Sequence, residues 1–217
     1  MTMAIAIAIL PAGCGDSRTT ATHRIGARAT DTRALVDSLL AGVPQHGNML
    51  GDPRAPMALE YFADLQCPYC RRFTLGVLST LIDGYVRPGQ LKILYTSVKT
   101  ATRDPETFKA QQIAALAAGR QNKMWNFIEL FYREEGREGT GYVTERFLQE
   151  LARQVGGLNL IAWSSARSDP ALANTVLADA QAAARAGVNI TPDFLFAHKR
   201  SAPAARAIEA LIRGGGV

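Results

Sequence analysis

The sequence predicts an α/β fold in which a small sheet domain is interrupted by roughly 80 residues of helices. Residues 57–63 and 91–98 are apolar stretches of strand length, and apolar residues between them recur at three- and four-residue spacing. A strand, a helix and a strand in so short a segment form a βαβ unit with parallel strands. Strand character returns only at residues 193–197, after a long helical block.

The elements around the βαβ unit follow from local signals. A short helix is expected over residues 30–40, with Thr30-Asp31 at its start, and it ends before Gly42. Residues 43–56 are rich in Gly, Pro and Asn and are expected to form a loop. The remaining helices are expected at about 106–119, 124–134, 144–155, 159–166, 170–186 and 203–213.

The composition is that of a globular chain without a nucleic-acid-binding surface. Hydrophobic residues make up 47% and charged residues 20% of the 217 residues, which is enough to form a buried core. The net charge is +5, but Lys and Arg are scattered along the predicted helices rather than clustered in a stripe with aromatic residues. Nucleic acid is therefore not an expected partner.

The N-terminal segment has the pattern of an export signal. Residues 1–13 are uncharged, and residues 3–10 form an apolar run far shorter than the roughly 20 residues that span a bilayer. Pro11-Ala12-Gly13-Cys14 resembles the lipobox of bacterial lipoproteins, which are cut before a cysteine that then carries a diacylglycerol. No basic residue precedes the apolar run, and Pro11 replaces the usual Leu. We expect export and lipid attachment at Cys14, and a buried strand with an incidental cysteine is the alternative.

The chemistry is carried by Cys67-Pro68-Tyr69-Cys70, at the predicted start of the helix after the first strand. Disulfide exchange needs an exposed thiolate and a second thiol within bonding reach. Unpaired N–H groups and the helix dipole favour negative charge at a helix N-terminus, so we expect a lowered pKa for Cys67. Cys67 is the expected nucleophile and Cys70 the resolving thiol. Beyond this redox-active disulfide, no cofactor is expected.

Two other interpretations of the cysteine pair are a zinc site and an inert structural disulfide. Zinc needs about four ligands. The sequence has no second cysteine pair, and His23, His46 and His198 do not have the spacing of ligands. No metal is therefore expected. The preceding strand and the amphipathic helix that follows favour a redox function over a static disulfide.

Two segments resemble the DsbA-type proteins of the thioredoxin superfamily. Residues 59–73 are similar to the active-site segment of that family, and residues 187–192 are similar to its Gly-Val-x-Gly-Thr-Pro segment. The resemblance covers about residues 55–212 and implies a thioredoxin fold with an inserted helical subdomain. The implied active-site residues are the redox pair Cys67 and Cys70, the tuning dipeptide Pro68-Tyr69, and the substrate-binding pair Thr191-Pro192, whose proline is cis.

The sequence departs from the family at a buried carboxylate that often lies six residues before the first cysteine. Tyr61 occupies that position, and Glu60 lies one residue earlier. A one-residue offset in a strand points a side chain to the opposite face, unless the strand contains a bulge. The candidates for a proton relay are therefore Glu60, Asp64 or a water molecule, and a solvent-facing Glu60 is the alternative. Ile190 also replaces a usual glycine, and the last hairpin is expected to be short.

The resemblance divides the chain into five parts. They are a lipoprotein-like signal peptide (1–13), a tether (14–29), the first part of the thioredoxin domain (30–104), the helical insertion (105–187) and the second part of the domain (188–217).

The expected function is that of an exported oxidase at the cell envelope. It would introduce disulfides into reduced or unfolded exported proteins, and a membrane partner would reoxidise it. An envelope reductase or isomerase, a thioredoxin-like transferase and a non-redox peptide-binding module stay open as alternatives.

Overall fold

The computed structural model describes residues 31–137, 139–196, 199–201 and 205–214, which form eight helices and six strands. The strands are β1 Gln45–His46, β2 Met49–Leu50, β3 Met57–Ala63, β4 Leu91–Ser97, β5 Asp193–Phe196 and β6 Lys199–Ser201. The helices are α1 (residues 31–40), α2 (residues 68–86), α3 Pro105–Gly119, α4 Met124–Arg133, α5 Glu145–Gln154, α6 Leu160–Ala166, α7 Pro170–Arg185 and α8 Ala205–Arg213. The predicted signal peptide, the tether and the lipid site at Cys14 lie outside the described residues.

The six strands form one mixed sheet in the order β1-β2-β4-β3-β5-β6. β3 and β4 are parallel, as the βαβ pattern predicts, and β5 pairs antiparallel with the other side of β3. The β3–β4 register is continuous from Met57–Leu91 to Ala63–Ser97, so β3 contains no bulge. This central strand ends directly before the Cys67 segment, which places the cysteines at the middle of one sheet edge.

Residues 43–56, which we predicted to be a loop, contain a β-hairpin instead. β1 pairs with β2, and β2 also extends the main sheet by pairing with β4. The glycines that indicated a loop are needed for this close packing. Gly51 has a φ of +108°, and a Cβ atom there would lie 2.9 Å from the carbonyl oxygen of Leu91.

Helix α2 follows the predicted apolar pattern but contains two wide turns. Residues 73–77 and 82–86 have π-helical geometry, and four residues of α-helix separate them. Each wide turn includes a glycine, Gly76 or Gly84, which has no side chain to crowd the wider backbone. The apolar residues that predicted the helix remain buried: Phe73, Leu78, Leu81 and Ile82.

The two faces of β3 pack against different clusters of apolar side chains. Tyr61 lies in the main core together with Cys70, and its ring stacks on Phe194 at a centroid distance of 5.2 Å. Phe62 belongs to a second, smaller cluster with Val98 and Val188. Because side chains alternate along a strand, these clusters show which residues of β3 face the cysteines.

Helices α3 and α7 each begin after an aspartate that caps the helix. The carboxylate of Asp104 accepts a hydrogen bond from the Thr107 N–H at the start of α3, and Asp169 caps α7 in the same way through the Ala171 N–H. In the part of the chain that the structure describes, no helix combines the length and the apolar character needed to cross a membrane.

Candidate active site

Cys67 occupies the N-cap of α2, and Pro68 is the first residue of the helix. The backbone of Cys67 is extended, with φ of −84° and ψ of 117°, so the chain enters the helix at this residue. Its Sγ accepts a hydrogen bond from the N–H of Cys70 over 3.4 Å. Pro68 fits here because the missing N–H needs no partner and its fixed φ suits the helix. The Cys67 sulfur therefore faces the positive end of the helix.

Both cysteines of the pair are free thiols in this structure. Cys67 keeps 4% of its surface exposed, whereas Cys70 is fully buried, so an incoming sulfur atom reaches Cys67 first. Among the described residues, no group of three or more His, Cys, Asp and Glu side chains is arranged to hold a metal ion.

The two sulfur atoms have opposite electrostatic environments. A hydrogen bond with Cys70 lowers the pKa of Cys67 to about 6, and the side chain of Thr191 acts in the same direction against the effect of burial. Burial raises the pKa of Cys70 well above its ordinary value, and the adjacent Cys67 reinforces that shift. At neutral pH, Cys67 is therefore mainly a thiolate and Cys70 is a protonated thiol.

The loop before β5 lies against Cys67. The Thr191–Pro192 peptide bond is cis, and the Cys67 thiol donates a hydrogen bond to the carbonyl oxygen of Thr191 over 3.3 Å. The structure thus brings together the two segments on which the sequence resemblance was based.

Two large apolar side chains on these segments are exposed. Tyr69 is 62% exposed and Ile190 is 65% exposed. The guanidinium group of Arg72 lies 5.4 Å from the centroid of the Tyr69 ring, a cation–π contact that leaves most of the ring accessible. Tyr69 is two residues from Cys67 and Ile190 is one residue from Thr191, so both exposed side chains belong to the segments that meet at the sulfur.

Tyr61 fills the position where the family often has a carboxylate. Its hydroxyl donates to the carbonyl oxygen of Cys70 over 3.3 Å and lies 3.1 Å from the hydroxyl of Thr74. Burial raises the pKa of Tyr61 well above its ordinary value, so the phenol stays protonated. The site therefore has a neutral hydrogen-bonding group beside Cys70 at this position of β3.

Glu60 lies on the opposite face of β3 from the cysteines. The strand has no bulge that would turn this side chain around, and Glu60 shares its face with Phe62 rather than with Tyr61. Its partners across the sheet are Leu94 and Leu195, and it is partly exposed. The structure thus places Glu60 away from the cysteines, and a proton relay at Glu60 stays a prediction.

Asp64 is fully buried, and its carboxylate accepts hydrogen bonds from six donors. The donors are the N–H groups of Gln66, Thr100, Ala101 and Thr102, the Thr102 hydroxyl and the Gln111 amide, at 2.5–3.4 Å. None of these six donors is a cysteine thiol. The carboxylate anchors the 100–102 segment beside the site, and a proton relay at Asp64 stays a prediction.

The sequence analysis missed Thr100. Its hydroxyl lies 2.5 Å from the hydroxyl of Thr191. The order of the elements could have identified Thr100. It follows β4, which is parallel to β3, and parallel strands end at the same edge of a sheet. Hydroxyl residues directly after β4 therefore had to lie near the segment that follows β3.

The fold and the site define a thioredoxin-like protein with a cysteine pair at a helix start and a cis-proline loop against it. A family model described as Thioredoxin matches residues 45–212. The chain therefore belongs to this family.

Solved structures share this fold at low sequence identity. Oxidised BdbD from Bacillus subtilis superposes with a TM-score of 0.69 and 17% identity, over 79% of this chain and 96% of that chain. DsbA from Chlamydia trachomatis gives a TM-score of 0.67 and 15% identity, over 78% and 91% of the two chains. A thioredoxin-like oxidoreductase from Silicibacter pomeroyi gives 0.63 and 24%, over 83% and 98%.

Two related sequences are named as probable disulfide bond formation proteins. The chain is 24% identical over 105 residues to the probable disulfide bond formation protein D of Bacillus anthracis, and 25% identical over 107 residues to that of Bacillus cereus. Each match covers 48% of both chains, so this chain matches about half the length of those relatives. Together with the family match and the solved structures, they confirm the predicted DsbA-type resemblance and the thioredoxin fold with inserted helices.

Proposed function

We propose that this chain is a protein thiol–disulfide oxidoreductase that donates the Cys67–Cys70 disulfide to reduced or unfolded exported proteins. The main support is the contrast between the two sulfur atoms. Cys67 lies at a helix N-terminus with a pKa of about 6, whereas Cys70 is buried with a raised pKa. The matched relatives are named as probable disulfide bond formation proteins, which fits the same class of reaction.

The reaction proceeds through a mixed disulfide. A substrate thiolate attacks Sγ of Cys67 in the oxidised protein, the Cys67–Cys70 bond breaks, and the Cys70 sulfur leaves with the electron pair and takes up a proton. A second substrate thiolate then attacks the substrate sulfur of the mixed disulfide, and Cys67 leaves as a thiolate. The substrate loses two electrons and gains a disulfide, and the cysteine pair gains those two electrons.

The pKa values of Cys67 and Cys70 favour transfer of the disulfide from this protein to the substrate. A low pKa makes the Cys67 sulfur a good leaving group in the second step, and a stabilised thiolate favours the reduced protein. The buried, protonated Cys70 attacks the mixed disulfide slowly, which gives the second thiol of the substrate time to react. Both effects favour oxidation of the substrate.

The exposed Tyr69 and Ile190 side chains support unfolded proteins as substrates. Unfolded chains expose apolar side chains that Tyr69 and Ile190 can contact. An extended substrate segment would pair with the backbone of Thr191, next to the disulfide. Thr191-Pro192 would therefore bind substrate, and Pro68-Tyr69 would tune the redox pair.

The test of this function is oxidative refolding. The oxidised protein is mixed with a reduced, unfolded protein whose activity depends on its disulfides, and recovered activity is followed over time. Wild-type protein should restore activity faster than glutathione buffer alone, and Cys67→Ser should be inactive. Acceleration of disulfide reduction alone would indicate a reductase instead. Undiminished refolding activity in Cys67→Ser would exclude catalysis through Cys67 and would indicate a transferase or a binding module.

The proposal extends to the cell envelope. Residues 1–13 would direct export, Cys14 would carry a lipid that holds the protein at the membrane surface, and a membrane partner would reoxidise the dithiol. Disulfides persist mainly outside the cytoplasm, which supports this location. The full chain, produced in bacteria with an alkyne-tagged fatty acid, should become labelled, whereas Cys14→Ser should not. Equal labelling of both proteins would contradict lipid attachment at Cys14.

A further inference from the structure

Asp64 is connected to the Cys67 sulfur from two sides. Through its backbone, the Asp64 carbonyl oxygen accepts a hydrogen bond from the Cys67 N–H over 3.0 Å. Through its side chain, Asp64 Oδ2 accepts from the Thr100 N–H over 2.9 Å, and the Thr100 hydroxyl contacts the Thr191 hydroxyl. The backbone carbonyl oxygen of Thr191 in turn accepts the hydrogen bond of the Cys67 thiol. One buried residue thus holds both the cysteine and the segment that supports its partner loop.

We propose that Asp64 and Thr100 are positioning residues for disulfide exchange, because together they brace Thr191 against the Cys67 sulfur. This proposal rests on the proposed function of the same site. In this proposal Asp64 does not transfer a proton. Its carboxylate fixes the 100–102 segment, and the Thr100 hydroxyl in that segment holds Thr191 in place.

The chemistry of the thiolate fixes the direction of the hydroxyl pair. The Thr191 side chain lowers the pKa of Cys67, and a hydroxyl has that effect only as a donor, because a thiolate only accepts hydrogen bonds. The Thr191 oxygen is then the acceptor for the Thr100 hydroxyl, and the two bonds reinforce each other. The same brace holds the backbone carbonyl oxygen of Thr191 3.3 Å from the Cys67 sulfur. Thr100 therefore stabilises the Cys67 thiolate without touching it.

The brace can be tested without unfolding the protein, because Thr100 is exposed. Loss of an exposed hydroxyl changes stability by only about 0.5 kcal/mol or less. Thr100→Val keeps the branched shape and removes the hydroxyl, whereas Thr100→Ser keeps the hydroxyl. Thr175→Val is the matched control, since the Thr175 hydroxyl bonds only to the Ala171 carbonyl oxygen within α7.

The measurement is the pH profile of Cys67 alkylation by iodoacetamide in the reduced protein. At pH 5, Thr100→Val should react roughly two- to five-fold more slowly than wild type, because less thiolate is present. Thr100→Ser and Thr175→Val should both follow the wild-type profile. A Thr100→Val profile equal to that of Thr175→Val, or displaced to lower pH, would overturn the role of Thr100.

Asp64→Asn is the second variant, since an amide offers one acceptor oxygen where the carboxylate offers two. Its profile should move in the same direction as that of Thr100→Val, and the double variant should add little to either change. A lower melting temperature with an unchanged alkylation profile would show that Asp64 has only a structural role. The profile needs no protein substrate, so failure of the brace is distinguishable from failure of the oxidase function in the refolding assay.

Discussion

The Sγ atom of Cys67 and the carbonyl oxygen of Thr191 are 3.3 Å apart, although 124 positions separate the two residues along the chain. The sheet order brings them together, because β3 lies between β4 and β5 at the centre of the sheet. Cys67 follows β3 and Thr191 precedes the antiparallel β5, so both residues lie at the same sheet edge. The inserted helices lengthen the chain between them without separating them in space.

Replacing Cys70 by Ser should trap the mixed disulfide. Cys67 would still react with a disulfide such as oxidised glutathione, but the resolving thiol would be missing. Peptide mapping by mass spectrometry should therefore locate a stable glutathione adduct at Cys67 of Cys70→Ser and none at Cys70 of Cys67→Ser. An adduct at Cys70 of Cys67→Ser would mean that Cys70 is the accessible nucleophile, contrary to its complete burial.

The free energy of unfolding of the reduced protein should rise with pH between about 6 and 9. Folding lowers the pKa of Cys67 from 9.0 to about 6, so the folded protein binds fewer protons in this interval than the unfolded chain. The stabilisation is complete above the unfolded pKa and is lost as pH falls through the folded pKa. At pH 7 it amounts to roughly 1 kcal/mol, with allowance for solvent screening.

Urea denaturation of the reduced protein at several pH values measures this effect, with Cys67→Ser as the control. The difference in stability between the two proteins should grow with pH across the interval. Parallel pH curves for both proteins would show that the Cys67 thiolate contributes nothing to stability.

Tyr61→Phe should destabilise the protein without changing the reactivity of Cys67. The variant loses the hydroxyl bonded to the Cys70 carbonyl oxygen and in contact with Thr74, which costs about 1–2 kcal/mol at a buried site. A phenol that stays protonated takes no part in proton transfer, so the alkylation profile should match wild type. A displaced profile in Tyr61→Phe would assign a proton-transfer role to the phenol.

Arg200→Ala should weaken the attachment of the loop that contains the cis proline. Arg200 pairs with the buried carboxylate of Asp193, next to Pro192, and also donates to the carbonyl oxygens of Ala186 and Gly187. We expect a loss of about 1–2 kcal/mol in unfolding free energy and slower oxidative refolding of substrate. Arg200→Lys should keep part of the stability and part of the refolding activity.

Arg54→Ala is the control for Arg200→Ala, because Arg54 forms a highly exposed ion pair with Asp52. It should leave stability and activity unchanged. Equal effects in Arg54→Ala and Arg200→Ala would contradict a specific role for the Asp193–Arg200 pair.

Glu129→Gln should stabilise the protein at alkaline pH. Burial raises the pKa of Glu129 in α4 from 4.5 to about 7, although Arg133 lies 3.1 Å away and opposes the shift. A raised folded pKa means that stability is lost as pH rises through 7. The variant has no charge to bury, so its advantage should be roughly 3 kcal/mol larger at pH 8 than at pH 4. A pH-independent difference in denaturation midpoint would contradict this.

The sequence was sufficient to find Cys67, Cys70 and the Thr191-Pro192 loop because each belongs to a short motif beside a clear strand or helix. The β1–β2 hairpin could not be predicted, since two-residue strands depend on pairing with β4 and not on their own propensity. Which of Tyr61 and Glu60 faces the cysteines could be decided only once the register of β3 was known. Thr100 required the sheet topology, because its partner Thr191 lies 91 positions away.

The equilibrium reduction potential of the Cys67–Cys70 pair tests the central claim most directly. The purified reduced and oxidised proteins are equilibrated in glutathione buffers of known ratio, and the fraction oxidised is measured by alkylation and mass shift. A disulfide donor with a stabilised Cys67 thiolate should have a potential toward the oxidising end of the family range, near about −120 mV. A potential near about −270 mV would contradict disulfide donation and would identify a reductase.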